Sequence, residues 1–133
     1  MERRSDALIG KVRELYAATG DKADDLERFL TMDFVITEAS DLSYGGCFRG
    51  PSALRSLVDR INAMIVAKNV VIERYAVGEN HVVASLSFDV PMPDGTVARQ
   101  WVAEEFFFRG GLIAEIRPYY FDTSIINRAV GIA

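Results

Sequence analysis

The chain has one cysteine, Cys47, and one histidine, His81, in 133 residues. A lone thiol closes no internal disulfide, and one thiol with one imidazole falls short of the usual zinc ligand set, so no metal is expected. Cys47 lies among glycines with no basic neighbour closer than Arg49, which gives no case for an activated thiolate. His81 follows Asn80 in a turn and reads as solvated. Cationic residues are also in short supply: 15 Lys and Arg stand against 19 Asp and Glu, a net charge of −4. Without a basic surplus to neutralise phosphates, nucleic acid is not an expected partner. No apolar run approaches the length of a bilayer span, so no membrane partner is expected. No secretory leader is apparent, and with a single thiol the expected compartment is a reducing cytoplasm. No glycine-rich nucleotide loop, Gly-x-Ser-x-Gly elbow or internal repeat occurs, and no cofactor is expected.

What the chain does have is apolar residues, half of the total, enough for a core without staples. Its length fits one domain, read as residues 1–133 with a core from about 5 to 123 and a short tail. The first half reads helical. Leu8, Val12 and Leu15 share one face of a helix that Gly20 ends. Asp21 is placed to cap a short second helix with Asp24 and Asp25 in its first turn and Leu26, Phe29 and Leu30 as its buried stripe. Residues 34–38 alternate as a strand, with Phe34, Ile36 and Glu38 on one face. Residues 40–46 read as a loop, and Gly50-Pro51 starts a third helix with a wide apolar face of Leu54, Leu57, Val58, Ile61 and Ile65.

The second half reads as a meander. Strands over 70–77, 82–90, 97–109 and 112–121 are separated by turns at Gly78-Glu79-Asn80, Pro93-Asp94-Gly95 and Gly110-Gly111. Residues 123–133 read as a tail with one loose helical turn. Helices and strands are segregated, so the expected class is α+β, a curved antiparallel sheet wrapped around three helices. Leu8, Val12, Leu57, Ile61 and Phe106 are expected in the core. The 97–109 strand carries large aromatics on both faces. A sheet covered on one side only would alternate more cleanly, so a homodimer through the convex sheet face is expected, with Trp101 near the contact.

Two stretches carry a resemblance. Tyr44-Gly45-Gly46-Cys47-Phe48-Arg49-Gly50-Pro51-Ser52-Ala53-Leu54 resembles the segment entering the third helix of SnoaL-like proteins. Gly111-Leu112-Ile113-Ala114-Glu115-Ile116-Arg117-Pro118-Tyr119-Tyr120-Phe121-Asp122 resembles their final turn and strand. With the order of elements, these liken the chain to the nuclear transport factor 2-like superfamily, which includes ketosteroid isomerase and the SnoaL-like cyclases. The resemblance implies a cone-shaped, cystatin-like fold with a pocket for a small hydrophobic ligand. It implies no single activity, since the fold hosts enzymes, binders and scaffolds.

Carried over residue by residue, likeness to ketosteroid isomerase puts Glu38 at the general base and Glu104, or its neighbour Glu105, at the second acid. The isomerase's tyrosine on the first helix falls near Arg13 or Glu14, with Tyr16 one turn away. Likeness to the cyclases makes Asp122 a third acid/base candidate. Tyr16, Phe34, Val102, Phe106 and Tyr120 are the expected pocket residues. Limonene epoxide hydrolases of this fold need an Asp-Arg-Asp group, and Pro118 or Tyr119 stands here at the last aspartate's place. Each acid also has a plainer reading. Glu38 could end an exposed strand, Glu104 could pair with Arg99 or Arg117, and Asp122 could cap the following turn. Two functions stay open: a cofactor-independent isomerase or cyclase moving a proton on a small hydrophobic carbonyl compound, or a non-catalytic ligand-binding or dimeric scaffold module.

Overall fold

The computed structural model describes residues 3–20 and 24–131. Its elements follow the order α1 (Arg4–Thr19), a 3-10 turn (Leu26–Phe29), β1 (Leu30–Glu38), β2 (Gly46–Arg49), α2 (Pro51–Met64), β3 (Lys68–Gly78), β4 (His81–Pro91), β5 (Val97–Arg109), β6 (Leu112–Tyr120) and α3 (Thr123–Ala129). The strands form one six-stranded sheet in the order β2-β1-β6-β5-β4-β3. The α+β cone expected from the sequence is the observed architecture.

The differences are local. The expected second helix is one 3-10 turn, capped by the Asp25 carboxylate, which accepts from the Glu27 amide. Asp21, expected as that cap, lies outside the described residues. Leu26, Phe29 and Leu30 are buried as expected, but Leu30 already belongs to β1, which is longer than its alternating part suggested. The stretch read as a loop leads into a short strand, β2, antiparallel to β1. The sheet also contains one parallel pair, β1 with β6, in an otherwise antiparallel order. Pairing between two chain-distant strands leaves no trace in local periodicity.

α2 starts where the sequence placed it. Gly50 adopts φ 93°, a left-handed conformation costly for a residue with a Cβ, and Pro51 opens the helix. The Gly50 amide donates to the Phe34 carbonyl at 2.8 Å, tying the helix entrance to β1. The tail is a helix rather than a loose turn. The Asp122 carboxylate caps it by accepting from the Ser124 amide, and Ile125 and Ile126 are buried. Gln100, fully buried on β5, donates to the Asp122 carbonyl at 2.6 Å and accepts from its amide at 3.1 Å. An inward amide in an apolar strand is therefore satisfied, and it fixes where α3 begins.

Leu8, Val12, Leu57 and Phe106 are buried as expected, while Ile61 is half-buried beside a cavity. The cavity lies between the sheet's inner face and helices α1 and α2. The wide apolar stripe on α2 divides between core and cavity wall: Leu54 and Leu57 are buried, and Val58 and Ile61 are only partly covered.

Candidate active site

The inner face of the sheet sets the positions of the acids. β5 and β6 pair with Glu104 opposite Pro118, and Phe106 opposite Ile116. β1 and β6 pair with Ile36 beside Ile116. Two residues further along β1 is Glu38, so the two glutamates flank β6 on the same face, roughly 10 Å apart at the backbone (two strand spacings). The β1–β6 ladder stops at Ile116, two residues before Pro118, which has no N–H with which to extend it. Two glutamate side chains reaching over that gap share one cavity.

The cavity has a volume of about 520 Å³ and is lined by Glu38, Glu104, Tyr16 and Tyr120 together with aliphatic side chains from α1, α2, β3 and β4. Among the described lining residues there is no lysine, arginine or histidine. Glu38 is 4% exposed, and its Oε1 has no hydrogen-bond partner. Burial first, and then the charge of Glu104, push its carboxyl up to about 8. Glu104 is raised as well, again by burial, with the bond from Tyr16 working in the opposite direction. Tyr16 on α1 donates its hydroxyl to Glu104 Oε1 at 2.7 Å and packs edge-on against Phe106 at 5.8 Å between ring centres. Burial and the adjacent Glu104 carboxylate hold the Tyr16 phenol protonated, far above its ordinary range.

Tyr120 forms the facing wall. The Tyr44 hydroxyl donates to the Tyr120 oxygen at 2.9 Å, which leaves the Tyr120 proton free to turn toward the cavity. Tyr44 is fully buried in the β1–β2 connection. Its position depends on Gly45, where a Cβ would come within 2.2 Å of the Ala39 carbonyl oxygen. Tyr44 opens the first stretch of resemblance but is not among the expected pocket residues. Its signal was an aromatic directly before two glycines, a pattern that fits a tightly folded connection holding a buried side chain.

The expected site residues therefore divide. Glu38, Glu104, Tyr16, Phe106 and Tyr120 come together around the cavity. Glu104, not Glu105, is the inward acid, and its partner is Tyr16 rather than Arg99 or Arg117, which bind Asp89 and Glu115 instead. Asp122 does not join them. It caps α3, accepting from the Ser124 amide and hydroxyl, and those bonds hold its carboxyl below the usual range. Phe34 and Val102 are buried core and do not line the cavity. They are in phase with the lining residues but are covered by other core side chains. His81 is not simply solvated either: on the outer face it meets Glu105 at 3.0 Å and stacks on Phe107.

Comparison with solved structures supports this architecture. A nuclear transport factor 2-like protein from Burkholderia xenovorans superposes with a TM-score of 0.80 at 18% identity, over 98% of this chain and 100% of that one. TerC crystallised with polyporic acid superposes at 0.77 with 16% identity, over 93% and 98%. A protein from Jannaschia provisionally assigned as a SnoaL-like polyketide cyclase superposes at 0.76 with 15% identity, over 100% and 99%. At these identities the likeness concerns the fold. No curated protein sequence matches the chain. The SnoaL-like domain family matches it over residues 12–116, a span from α1 through β6 that contains Tyr16, Glu38 and Glu104, and the chain is a member of that family.

Proposed function

We propose that this SnoaL-like protein is a cofactor-independent isomerase or cyclase that moves a proton on a small hydrophobic carbonyl compound. The observation that carries the reading is Glu38: a buried carboxylate with an unpartnered oxygen, facing a mostly aliphatic cavity that also holds a second acid. An unpaired buried carboxylate costs stability, and such groups concentrate at functional sites.

In this reading the Glu38 carboxylate takes a proton from the carbon next to the substrate carbonyl. The C–H electron pair becomes the enolate double bond, and the carbonyl π pair moves to oxygen. Glu104, kept neutral by burial, accepts from Tyr16 on Oε1 and so presents its own proton from Oε2 to that oxygen. Tyr120 offers a further donor from the other wall. Glu38 then returns the proton to a second carbon, or the enolate carbon attacks an internal carbonyl to close a ring and the alkoxide so formed takes up the proton that Glu38 holds. The raised basicity of Glu38 suits proton abstraction near neutral pH. Binding of a small ligand is in keeping with the related fold of TerC, crystallised with polyporic acid.

The test is hydrogen–deuterium exchange at the α-carbon of small cyclic ketones, followed by NMR, with the wild type and Glu38→Gln. Exchange by the wild type and loss in the variant support the reading. Equal exchange in both removes Glu38 from the chemistry, and ligand binding without exchange by either favours a non-catalytic binding module.

The same reading includes a homodimer through the convex face. Trp101 is 43% exposed, Tyr119 48% and Phe121 78%, with Trp101 and Phe121 in edge contact at 5.9 Å. An aromatic patch of this kind is what a second copy would cover. Among the described residues no helix is long and apolar enough to cross a membrane. A reducing cytoplasm is the compartment that agrees with a single exposed thiol at Cys47.

A further inference from the structure

The acids of the cavity pose a problem that carbonyl chemistry does not resolve. Two carboxyl groups face one mostly aliphatic space, and no cationic side chain among its described lining residues balances them. Buried acids in proteins are ordinarily paired. Tyr16 satisfies one oxygen of Glu104, but Oε1 of Glu38 is left without any partner.

We infer that the cavity binds hydrophobic primary amines as their ammonium ions, with the cationic head between Glu38 and Glu104 and the apolar body along α2 and β3. An ammonium group has three N–H donors. Three groups that can accept line the space it would fill: the Glu38 carboxylate, the oxygen of Glu104 not taken by Tyr16, once its proton is released, and the Tyr120 hydroxyl oxygen. The rings of Tyr16, Phe106 and Tyr120 stand around the same end, where aromatic faces favour a cation. Leu57, Val58, Ile61, Val70 and Ile72 supply an apolar channel for the rest of the ligand. A volume of about 520 Å³ accommodates a one-ring amine with a short chain. Anionic ligands are disfavoured wherever Glu38 is ionised. The inference shares Glu38 with the proposed reaction but does not need proton transfer to carbon, so binding can hold where the reaction fails, and the reaction can hold where amine preference fails.

The titratable groups facing Glu38 are Glu104 from β5, Tyr120 from β6, Tyr16 from α1 and Tyr44 from the β1–β2 connection, while α2 and β3 place no charged group in the lining. Ion-pair binding needs Glu38 ionised and the amine protonated. Affinity is therefore highest between about 8, where Glu38 loses its proton, and the amine's own pKa of about 10. Below that window, binding releases a proton from the protein.

The experiment is isothermal titration of the whole protein with phenylbutylamine, phenylbutanol and phenylbutyrate, three probes with one body and different heads. At pH 9 the amine should bind about tenfold or more tighter than the alcohol, with the carboxylate weakest. At pH 7, titration in two buffers of different ionisation enthalpy should show proton release for the amine and none for the alcohol. Glu38→Gln should bring amine and alcohol to nearly equal affinity. Should that variant fail to fold, the proton release of the wild type still decides. Equal affinity for amine and alcohol, preference for the carboxylate, or amine binding without proton release at pH 7 would overturn the inference.

Discussion

Tyr16 on the first helix and Glu104 on the fifth strand are joined by a 2.7 Å hydrogen bond, although 88 residues separate them in the chain. The bond fixes which oxygen of Glu104 is engaged and which one faces the cavity. It also anchors α1 over the sheet's inner face at the polar end of an otherwise aliphatic space. Replacing Tyr16 with Phe removes the donor and leaves a buried carboxyl with one partner fewer, a loss of about 1–2 kcal/mol in unfolding free energy by denaturant titration. Because the bond lowers the Glu104 pKa, its removal raises that pKa further. α-Proton exchange should slow as the presented donor loses its orientation.

Glu38 makes stability depend on pH in an unusual direction. Its folded pKa of about 8 lies above the ordinary value of 4.5, so between those pH values the folded state binds more protons than the unfolded chain. The stabilising contribution is complete below the lower value, declines as pH rises, and is lost above the upper one. The full swing is on the order of 5 kcal/mol. Glu38→Gln abolishes this contribution, so calorimetry should show the variant gaining stability relative to wild type between pH 5 and pH 9. A constant difference across that range would contradict the assignment.

The Tyr44–Tyr120 pair can be tested from both ends. Tyr44→Phe removes the donor at a cost of about 1 kcal/mol and frees the Tyr120 hydroxyl to rotate, so exchange should fall several-fold while the fold persists. Gly45→Ala should be more severe. Its Cβ would sit 2.2 Å from the Ala39 carbonyl oxygen, a backbone contact that only loop movement relieves. A loss of at least about 2 kcal/mol in thermal or denaturant unfolding is expected, with the cavity wall displaced alongside it.

On the outer face, Trp101→Glu places a charge in the centre of the exposed aromatic patch. Sedimentation of the wild type should give twice the chain mass of 14.8 kDa, and the variant should sediment at the single-chain mass. A wild type that is monomeric at micromolar concentration would end the dimer proposal.

The sequence was most readable where structure is local. The β5 span of Val97–Arg109 was bounded by turn residues at each end and matches the observed strand. The entrance to α2 was legible because Gly50 and Pro51 are constrained by their own backbones. Long-range arrangement was less visible. Parallel pairing of β1 with β6 leaves no periodic mark, and β2 was concealed by a glycine-rich run that resembles a loop. Likeness to ketosteroid isomerase pointed to Glu38 and Glu104, and both line the cavity, but inward phase along a strand does not separate cavity lining from covered core. Phe34 and Val102 share that phase but are buried outside the lining. Asp122 showed the converse problem: a strand-end acid has the same sequence appearance whether it faces a pocket or caps a helix, and Ser124 decides the matter in space.

The ionisation of Glu38 is the most direct point of test, since the proposed base, the pH-dependent stability and the amine site all depend on it. Carbon-13 NMR of the glutamate side-chain carboxyls, titrated from pH 3 to pH 10 and compared with Glu38→Gln, reads it without any substrate. The account predicts a carboxyl titrating near 8 in the wild type and absent from the variant. Disappearance from the variant of a carboxyl that titrates near 4.5 in the wild type would contradict it.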